Sequence, residues 1–172
     1  MLTEPINAND HVQWNAEAPI TLVEYGDFEC PHCAKAHIIL KRIHKRLGDQ
    51  VRLVFRNFPL KQIHSMAEPA AETAEFAATH GKYWEMHDAI FENQKLLSPE
   101  FLFELAKQVG ISPDELGQAL QTEAFAPRVK HDFLTGVRSG VNGTPTFFIN
   151  GQRLDGGWEY DDLVAAIEQA IR

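Results

Sequence analysis

Cysteine is scarce in this sequence: the 172 residues include only two, and both fall within one four-residue segment, Cys30–Cys33. Two cysteines are too few for the network of disulfides that stabilises many small secreted proteins, so a fold of that kind is excluded. A closely spaced pair is more often catalytic or metal-binding. The scarcity therefore directs attention to the segment that holds both cysteines.

Long hydrophobic runs are also missing. No segment approaches the roughly 20 consecutive apolar residues that a membrane-spanning helix needs. Residues 1–10 have neither a basic start nor an apolar stretch, so they do not resemble a secretory signal. We therefore expect a cytoplasmic protein, whereas a chain processed by removal of a leader would work in the periplasm or another extracytoplasmic space.

Positive charge is in short supply. The sequence has 16 Lys and Arg against 24 Asp and Glu, a formal net charge of −8. Nucleic-acid-binding proteins need clustered, excess Lys and Arg, so this class is excluded and the expected partners are proteins or small molecules. Internal repeats are absent as well, and the length suits one core rather than two independent domains.

The two cysteines belong to the motif Cys30-Pro31-His32-Cys33, which follows a strand-like apolar run and precedes a helical pattern. A thiol at a helix start ionises readily, because the unpaired N–H groups and the helix dipole favour negative charge. A second thiol one turn later can attack a mixed disulfide formed by the first. All four residues are therefore candidate catalytic residues for dithiol–disulfide chemistry.

Apolar periodicity predicts strands at both ends of the chain and only helices between them. Ile20–Tyr25 and Val51–Phe55 flank the helix after the cysteines, and this strand–helix–strand unit should pair in parallel. Thr146–Ile149 and Gln152–Leu154 are joined by Asn150-Gly151, which suits the type I′ turn of a hairpin. A final helix follows the hairpin.

These elements predict an α/β sheet domain interrupted by helices. The sheet domain comprises residues 19–60 and 140–172, and an all-helical insertion occupies residues 61–139. Residues 1–18 lack clear periodicity and are predicted to be an N-terminal arm, which Trp14 would attach to the rest of the protein.

Three segments together resemble the DsbA-like branch of the thioredoxin fold. They are Glu24–Cys33, Phe55–Leu60 and Gly143–Gly151. The likeness extends from about Pro19 to the C-terminus, and similar bacterial domains include some that are fused to sodium/proton antiporters. The resemblance implies a thioredoxin-like fold with a helical insertion and a protein disulfide oxidoreductase that needs no cofactor beyond a redox-active Cys30–Cys33 disulfide.

The two thiols are expected to have different roles. Cys30 precedes the helix and should be the more exposed nucleophile, while Cys33 would be the resolving thiol. His32 lies between them in sequence and could stabilise the Cys30 thiolate, the alternative being a merely solvated histidine. Asp27 and Glu29 would work in the opposite direction, because nearby negative charges raise the pKa of a thiol. Their orientation decides how strongly they do so.

The resemblance also assigns roles outside the motif. Glu24, a carboxylate within an apolar strand, is similar in position to the group that accepts the proton of the second thiol, and burial would raise its pKa for that task. The alternative is an ordinary glutamate on an exposed strand face. Pro145 would be the family's cis-proline opposite the dithiol, where Thr144-Pro145 would expose backbone groups to a peptide substrate. Thr144 departs from DsbA itself, which has valine there.

Other interpretations remain open. Cys30, Cys33 and His37 could be half of a zinc site, but no second cysteine pair completes it, so we expect no metal. The protein could instead be a redox-responsive binding or regulatory module, or a relative of the glutathione-dependent isomerases. The remaining histidines are interpreted as surface or satisfied positions; these are His11, His37, His44, His64, His80, His87 and His131.

The expected partners of the first interpretation are protein or peptide thiols and disulfides, with glutathione or a membrane redox partner as further candidates. A monomer is expected. The motif identifies the chemistry but leaves its direction open, because the same centre can oxidise, reduce or isomerise disulfides.

Overall fold

The computed structural model describes all residues, 1–172, as a five-stranded mixed sheet surrounded by seven α-helices. The strands are β1 His11–Trp14, β2 Ile20–Gly26, β3 Val51–Asn57, β4 Thr146–Ile149 and β5 Gln152–Arg153, in the spatial order β1-β3-β2-β4-β5. The helices are α1 Pro31–Leu47, α2 Ala67–Ala78, α3 Tyr83–Glu92, α4 Pro99–Val109, α5 Pro113–Gln121, α6 Ala126–Arg138 and α7 Tyr160–Ile171. None of these helices combines the length and apolar character needed to cross a membrane.

Strand β2 lies at the centre of the sheet and leads to the cysteine motif. It pairs in parallel with β3 and antiparallel with β4, which confirms the predicted strand–helix–strand unit. All seven residues of β2 are buried, because helices cover both faces of the sheet. Its last residue is Gly26, where an added Cβ would lie 2.5 Å from the Phe55 ring. This close approach requires glycine.

The hairpin of β4 and β5 is confirmed, with β5 ending one residue earlier than predicted. Asn150 and Gly151 both have positive φ, 49° and 83°, as a type I′ turn requires. The hairpin places the segment before β4, which contains Pro145, at the same end of the sheet as the start of α1. Helices α1 and α7 pack on one face through the apolar residues Ala36, Ile39, Leu40, Ile43, Leu163, Val164 and Ile167.

Helices α2–α6 follow one another between β3 and β4, as the helical pattern predicted. Ser98 and Ser112 cap α4 and α5 by accepting hydrogen bonds from backbone N–H groups three residues later. These helices share a hydrophobic core with Cys30 and Cys33. The dithiol therefore lies at the junction between the helical block and the sheet.

The N-terminal segment is more structured than the sequence indicated. Residues 11–14 form β1, which extends the sheet by pairing antiparallel with β3. Trp14 stacks on His44, with ring centroids 4.9 Å apart. The buried Arg56 of β3 donates hydrogen bonds to both carboxylate oxygens of Asp10 and to the backbone carbonyls of Glu4 and Pro5. The segment is thus attached by the pairing of β1 with β3, by Trp14 and by Arg56, and no local sequence pattern indicated the role of Arg56.

Candidate active site

The two thiols occupy the first turn of α1. Cys30 is the N-cap residue with an extended backbone, Pro31 is the first helical residue, and Cys33 lies one turn further on. The two cysteines are 3.9 Å apart, and both are free thiols. Cys30 exposes 5% of its surface and Cys33 none, so Cys30 is the sulfur that a partner reaches more easily.

The pKa values of the two thiols are driven in opposite directions. A hydrogen bond from the Cys33 thiol lowers the pKa of Cys30 to about 5, outweighing the effect of burial, with further contributions from the Thr144 side chain and from the backbone N–H groups of Cys33 and His32. Burial raises the pKa of Cys33 well above 9.0, and its hydrogen bond to Cys30 adds to this. At neutral pH Cys30 is a thiolate and Cys33 is protonated.

The two carboxylates that were expected to oppose this ionisation are bound to other groups. Asp27 accepts hydrogen bonds from the backbone N–H groups of Glu29 and Leu60, at 2.8 and 2.9 Å, and lies 2.8 Å from Nδ1 of His64. Glu29 accepts one from the backbone N–H of Met66 at 3.1 Å. Because these donors offset their charge, the two carboxylates do not prevent the nucleophilic thiol from ionising.

Glu24 is buried at the centre of β2, with 2% of its surface exposed. The alternative that it occupies an exposed strand face is therefore wrong, because both faces of the central strand are covered. Its Oε1 atom has no hydrogen-bond partner. Burial raises the pKa of Glu24 to about 8, and the negative charge of Cys30 adds to the effect. The charge of Glu24 in turn raises the pKa of Cys33. A carboxyl with this pKa can exchange a proton near neutral pH.

The segment before β4 faces the dithiol. The Thr144–Pro145 peptide bond is cis, and the Cys30 thiol lies 3.6 Å from the carbonyl oxygen of Thr144, to which it donates a hydrogen bond when protonated. The Thr144 hydroxyl is buried without a partner. It is therefore free to donate to the Cys30 thiolate, a contact that valine at this position would lack.

His32 acts on the thiolate through its backbone N–H group. Its side chain is exposed and makes an edge-to-face contact with Trp158, with ring centroids 6.2 Å apart. Trp158 and Pro145 line a cavity of about 280 Å³, and neither cysteine is among its lining residues. Sequence reasoning missed Trp158, because the loop that carries it shows no periodic pattern.

Two histidines, His37 and His87, differ from their interpretation as surface or satisfied positions. His64 agrees with it, since it lies beside the active site and is paired with Asp27. His37 and His87 are both buried, and the Nε2 atom of each lacks a hydrogen-bond partner. His37 groups with His87 and Asp88 rather than with the cysteines, which removes the zinc half-site considered above. His37 lies on the apolar face of α1, one turn after Cys33. Its burial could have been predicted from this position.

Comparison with known proteins gives one matching family model, thioredoxin, over residues 7–169. The chain is 40% identical over 164 residues to Na(+)/H(+) antiporter NhaA 3 of Salinispora tropica. It is 34% identical over 173 residues to Na(+)/H(+) antiporter NhaA of Herminiimonas arsenicoxydans. These alignments cover 94% and 100% of this chain but 25% and 27% of the relatives. The chain thus spans about a quarter of the length of the curated relatives it matches.

Among solved structures, BdbD from Bacillus subtilis superimposes with a TM-score of 0.84 at 28% identity, covering 93% of this chain and 91% of BdbD. A thioredoxin-like oxidoreductase from Silicibacter pomeroyi gives a TM-score of 0.82 at 25% identity, covering 96% and 94%. Both superpositions include the helical block as well as the sheet, since they extend over nearly the whole chain.

Proposed function

Because this chain belongs to the thioredoxin family, in its DsbA-like branch, we propose that its Cys-Pro-His-Cys centre exchanges disulfides with protein or peptide thiols. The observation that carries the proposal is the opposed ionisation of two adjacent thiols: the pKa of Cys30 is about 5, and that of Cys33 is well above 9.0. One thiol is thereby a nucleophile and good leaving group, and the other is held in reserve as a protonated thiol. No cofactor takes part in this chemistry.

In the oxidising direction, a substrate thiolate attacks Sγ of Cys30 in the Cys30–Cys33 disulfide. The bond between the two sulfurs breaks, and Cys33 leaves as a thiolate that takes a proton from Glu24. A second substrate thiolate then attacks the substrate sulfur of the mixed disulfide and releases Cys30 as a thiolate. The substrate is oxidised to a disulfide, the protein gains two electrons as a dithiol, and the reverse sequence reduces a substrate.

The low pKa of Cys30 favours the oxidising direction. At pH 7 a thiol with a pKa of about 5 is almost entirely thiolate. Compared with an unshifted thiol, this shifts the equilibrium between oxidised and reduced protein toward the reduced form by about 100-fold. For a two-electron couple this raises the reduction potential by about 60 mV. The disulfide is therefore expected to be a better oxidant than it would be with an ordinary cysteine.

The proposal is tested by the pH dependence of Cys30 alkylation in the reduced protein. Only the thiolate reacts, so the rate should rise as the pH increases through about 5 and be constant at neutral pH. Cys30→Ser measures any background from Cys33. A midpoint at pH 8 or above would contradict the proposed nucleophile. On the same sample, equilibration with glutathione gives the potential, and a value near the roughly −270 mV of thioredoxin would overturn the oxidising direction.

Glu24→Gln is expected to slow the steps in which Cys33 gains or loses a proton by about 100-fold. The amide keeps the size of the side chain but cannot accept a proton, while the alkylation midpoint of Cys30 should remain well below pH 7.

Glu24→Gln should also change how the free energy of unfolding depends on pH. Because the folded pKa of about 8 exceeds 4.5, wild-type stability should fall as the pH rises from 4.5 to 8. The variant should lose this slope.

Stopped-flow oxidation of a peptide dithiol and urea unfolding at several pH values measure the two effects of Glu24→Gln. Glu17→Gln is the matched control, since Glu17 is exposed and precedes β2, whereas the motif follows the other end of that strand. Unchanged exchange rates in Glu24→Gln would exclude the role of proton acceptor.

A second candidate function is a redox-responsive module of an antiporter. It is supported by the relatives named as Na(+)/H(+) antiporters, of which the chain spans about a quarter. In such a protein the dithiol would report the redox state without exchanging disulfides with separate substrates. Cys30→Ser would then leave the effect of this domain on transport intact, whereas the first proposal requires that its activity be lost.

A further inference from the structure

A second cluster of reactive side chains lies where α1 meets α3. His37 projects from α1, and His87 and Asp88 from α3, and each offers one ligand atom within 4.8 Å of the other two. The histidines expose 7% and 3% of their surface. Nε2 of His37 is buried without a hydrogen-bond partner, although buried polar atoms are normally paired. In His87, Nδ1 lies 2.8 Å from Oδ1 of Asp88, and Nε2 is unpaired. The unpaired nitrogen of His37 beside this histidine–carboxylate pair therefore requires an explanation.

A fourth side chain completes the cluster. Oε2 of Glu92 lies 3.5 Å from Nε2 of His37, too far for a good hydrogen bond. This distance of 3.5 Å is close to the separation of about 3.3 Å between two ligand atoms of a tetrahedral zinc ion with bonds of about 2.0–2.1 Å. The other oxygen, Oε1, accepts a hydrogen bond from Nζ of Lys41 at 3.1 Å. Lys41 thus holds the carboxylate with Oε2 directed toward His37.

We propose that His37, His87, Asp88 and Glu92 form a binding site for one divalent first-row transition metal ion, with zinc as the expected ion. Two imidazoles and two carboxylates suit zinc, whereas calcium and magnesium prefer all-oxygen sites. Burial lowers the pKa of both histidines, which favours the neutral imidazole that a metal ion requires as a ligand.

The site is separate from the proposed exchange reaction. It contains neither cysteine, and its ligands come from the helix that carries the dithiol and from one helix of the inserted block. A bound ion would therefore link the sheet domain to the inserted helices at a point behind the motif. The ion stabilises this junction and does not take part in the exchange of disulfides, so the proposal does not depend on that function.

The test uses untagged, chelator-treated protein in its oxidised form, because the disulfide prevents Cys30 and Cys33 from binding metal. Calorimetric titration with ZnCl₂ should show one ion per chain, and the thermal unfolding midpoint should rise with zinc concentration. Cobalt(II) should give d–d bands of nitrogen and oxygen ligation without a sulfur-to-cobalt charge-transfer band. Calcium chloride should bind much more weakly than zinc.

Asp88→Asn with Glu92→Gln should weaken zinc binding at least about 10-fold, since each substitution removes a charged ligand while keeping its shape. Glu85→Gln, on the exposed face of the same helix, should bind zinc like the wild type. Circular dichroism checks that the variants fold, and the cobalt spectrum of the wild type tests the ligand set independently. No zinc binding to the wild type, equal binding by the double variant, or a preference for calcium would overturn the proposal.

Discussion

Cys30→Ser is expected to lower the rate of disulfide exchange by at least about 1,000-fold, because the substitution removes the only thiol with a lowered pKa. Serine has nearly the same size, so the fold and the free energy of unfolding should change little. The remaining thiol, Cys33, is fully buried, and its raised pKa keeps it protonated. It therefore cannot replace the missing nucleophile.

Cys33→Ser is the matched variant and should behave differently. Its Cys30 can still form a mixed disulfide, but no second thiol is present to resolve it. Incubation with a substrate should therefore accumulate a covalent complex, visible by non-reducing electrophoresis and mass spectrometry. Cys33→Ala, which cannot donate a hydrogen bond from its side chain, should in addition raise the pKa of Cys30, because the principal hydrogen bond to Cys30 comes from Cys33. Equal loss of activity without a trapped complex would contradict the assignment of the two roles.

Arg56→Met is expected to reduce the free energy of unfolding by about 3–5 kcal/mol, as is usual when one partner of a buried ion pair is removed. The side chains of Arg56 and Asp10 are 2% and 3% exposed, and two hydrogen bonds of 2.9 Å join them. Arg56 also donates to the hydroxyl of Tyr25 at 3.0 Å. Methionine fills part of the space but leaves Asp10 buried without its partner. Urea unfolding at pH 7 measures the loss.

Arg52→Met provides the control for this substitution. Arg52 belongs to the same strand, is partly exposed and makes one hydrogen bond, to Thr21, so its replacement should cost less than about 1 kcal/mol. The two variants should also differ in acid. Although burial opposes it, hydrogen bonding to Arg56 lowers the pKa of Asp10. The stabilisation is therefore complete above about pH 4 to 5 and lost as the pH falls through the lowered pKa. Equal costs for both variants would contradict this account.

Local sequence signals predicted the elements that depend on neighbouring residues. The helix start directly after Cys30 and the turn at Asn150-Gly151 both follow from short motifs whose geometry is fixed within a few residues. The position of the dithiol at a helix start could therefore be predicted from sequence. The sequence could also predict that the pKa of Cys30 is lowered, but not by how much.

Features that depend on distant residues could not be predicted in this way. Strand β1 has little pattern of its own and forms because β3 offers an edge to pair with. The partner of Asp27 is His64, 37 positions away, and His37 meets His87 only because α1 and α3 pack together. Alternation along a strand likewise gave no decision on Glu24, since the rule assumes one exposed face and β2 has none.

The position of β4 beside β2 has a consequence for biosynthesis. Thr144, whose side chain helps to lower the pKa of Cys30, is 114 residues further along the chain. At translation rates of about 5–20 residues per second, the ribosome completes this interval roughly 6 to 23 seconds after it has made the dithiol. During that time the nascent protein has both thiols but lacks one of the contacts that lower the pKa of Cys30. The order of synthesis therefore delays full reactivity until the last strands have folded onto the sheet.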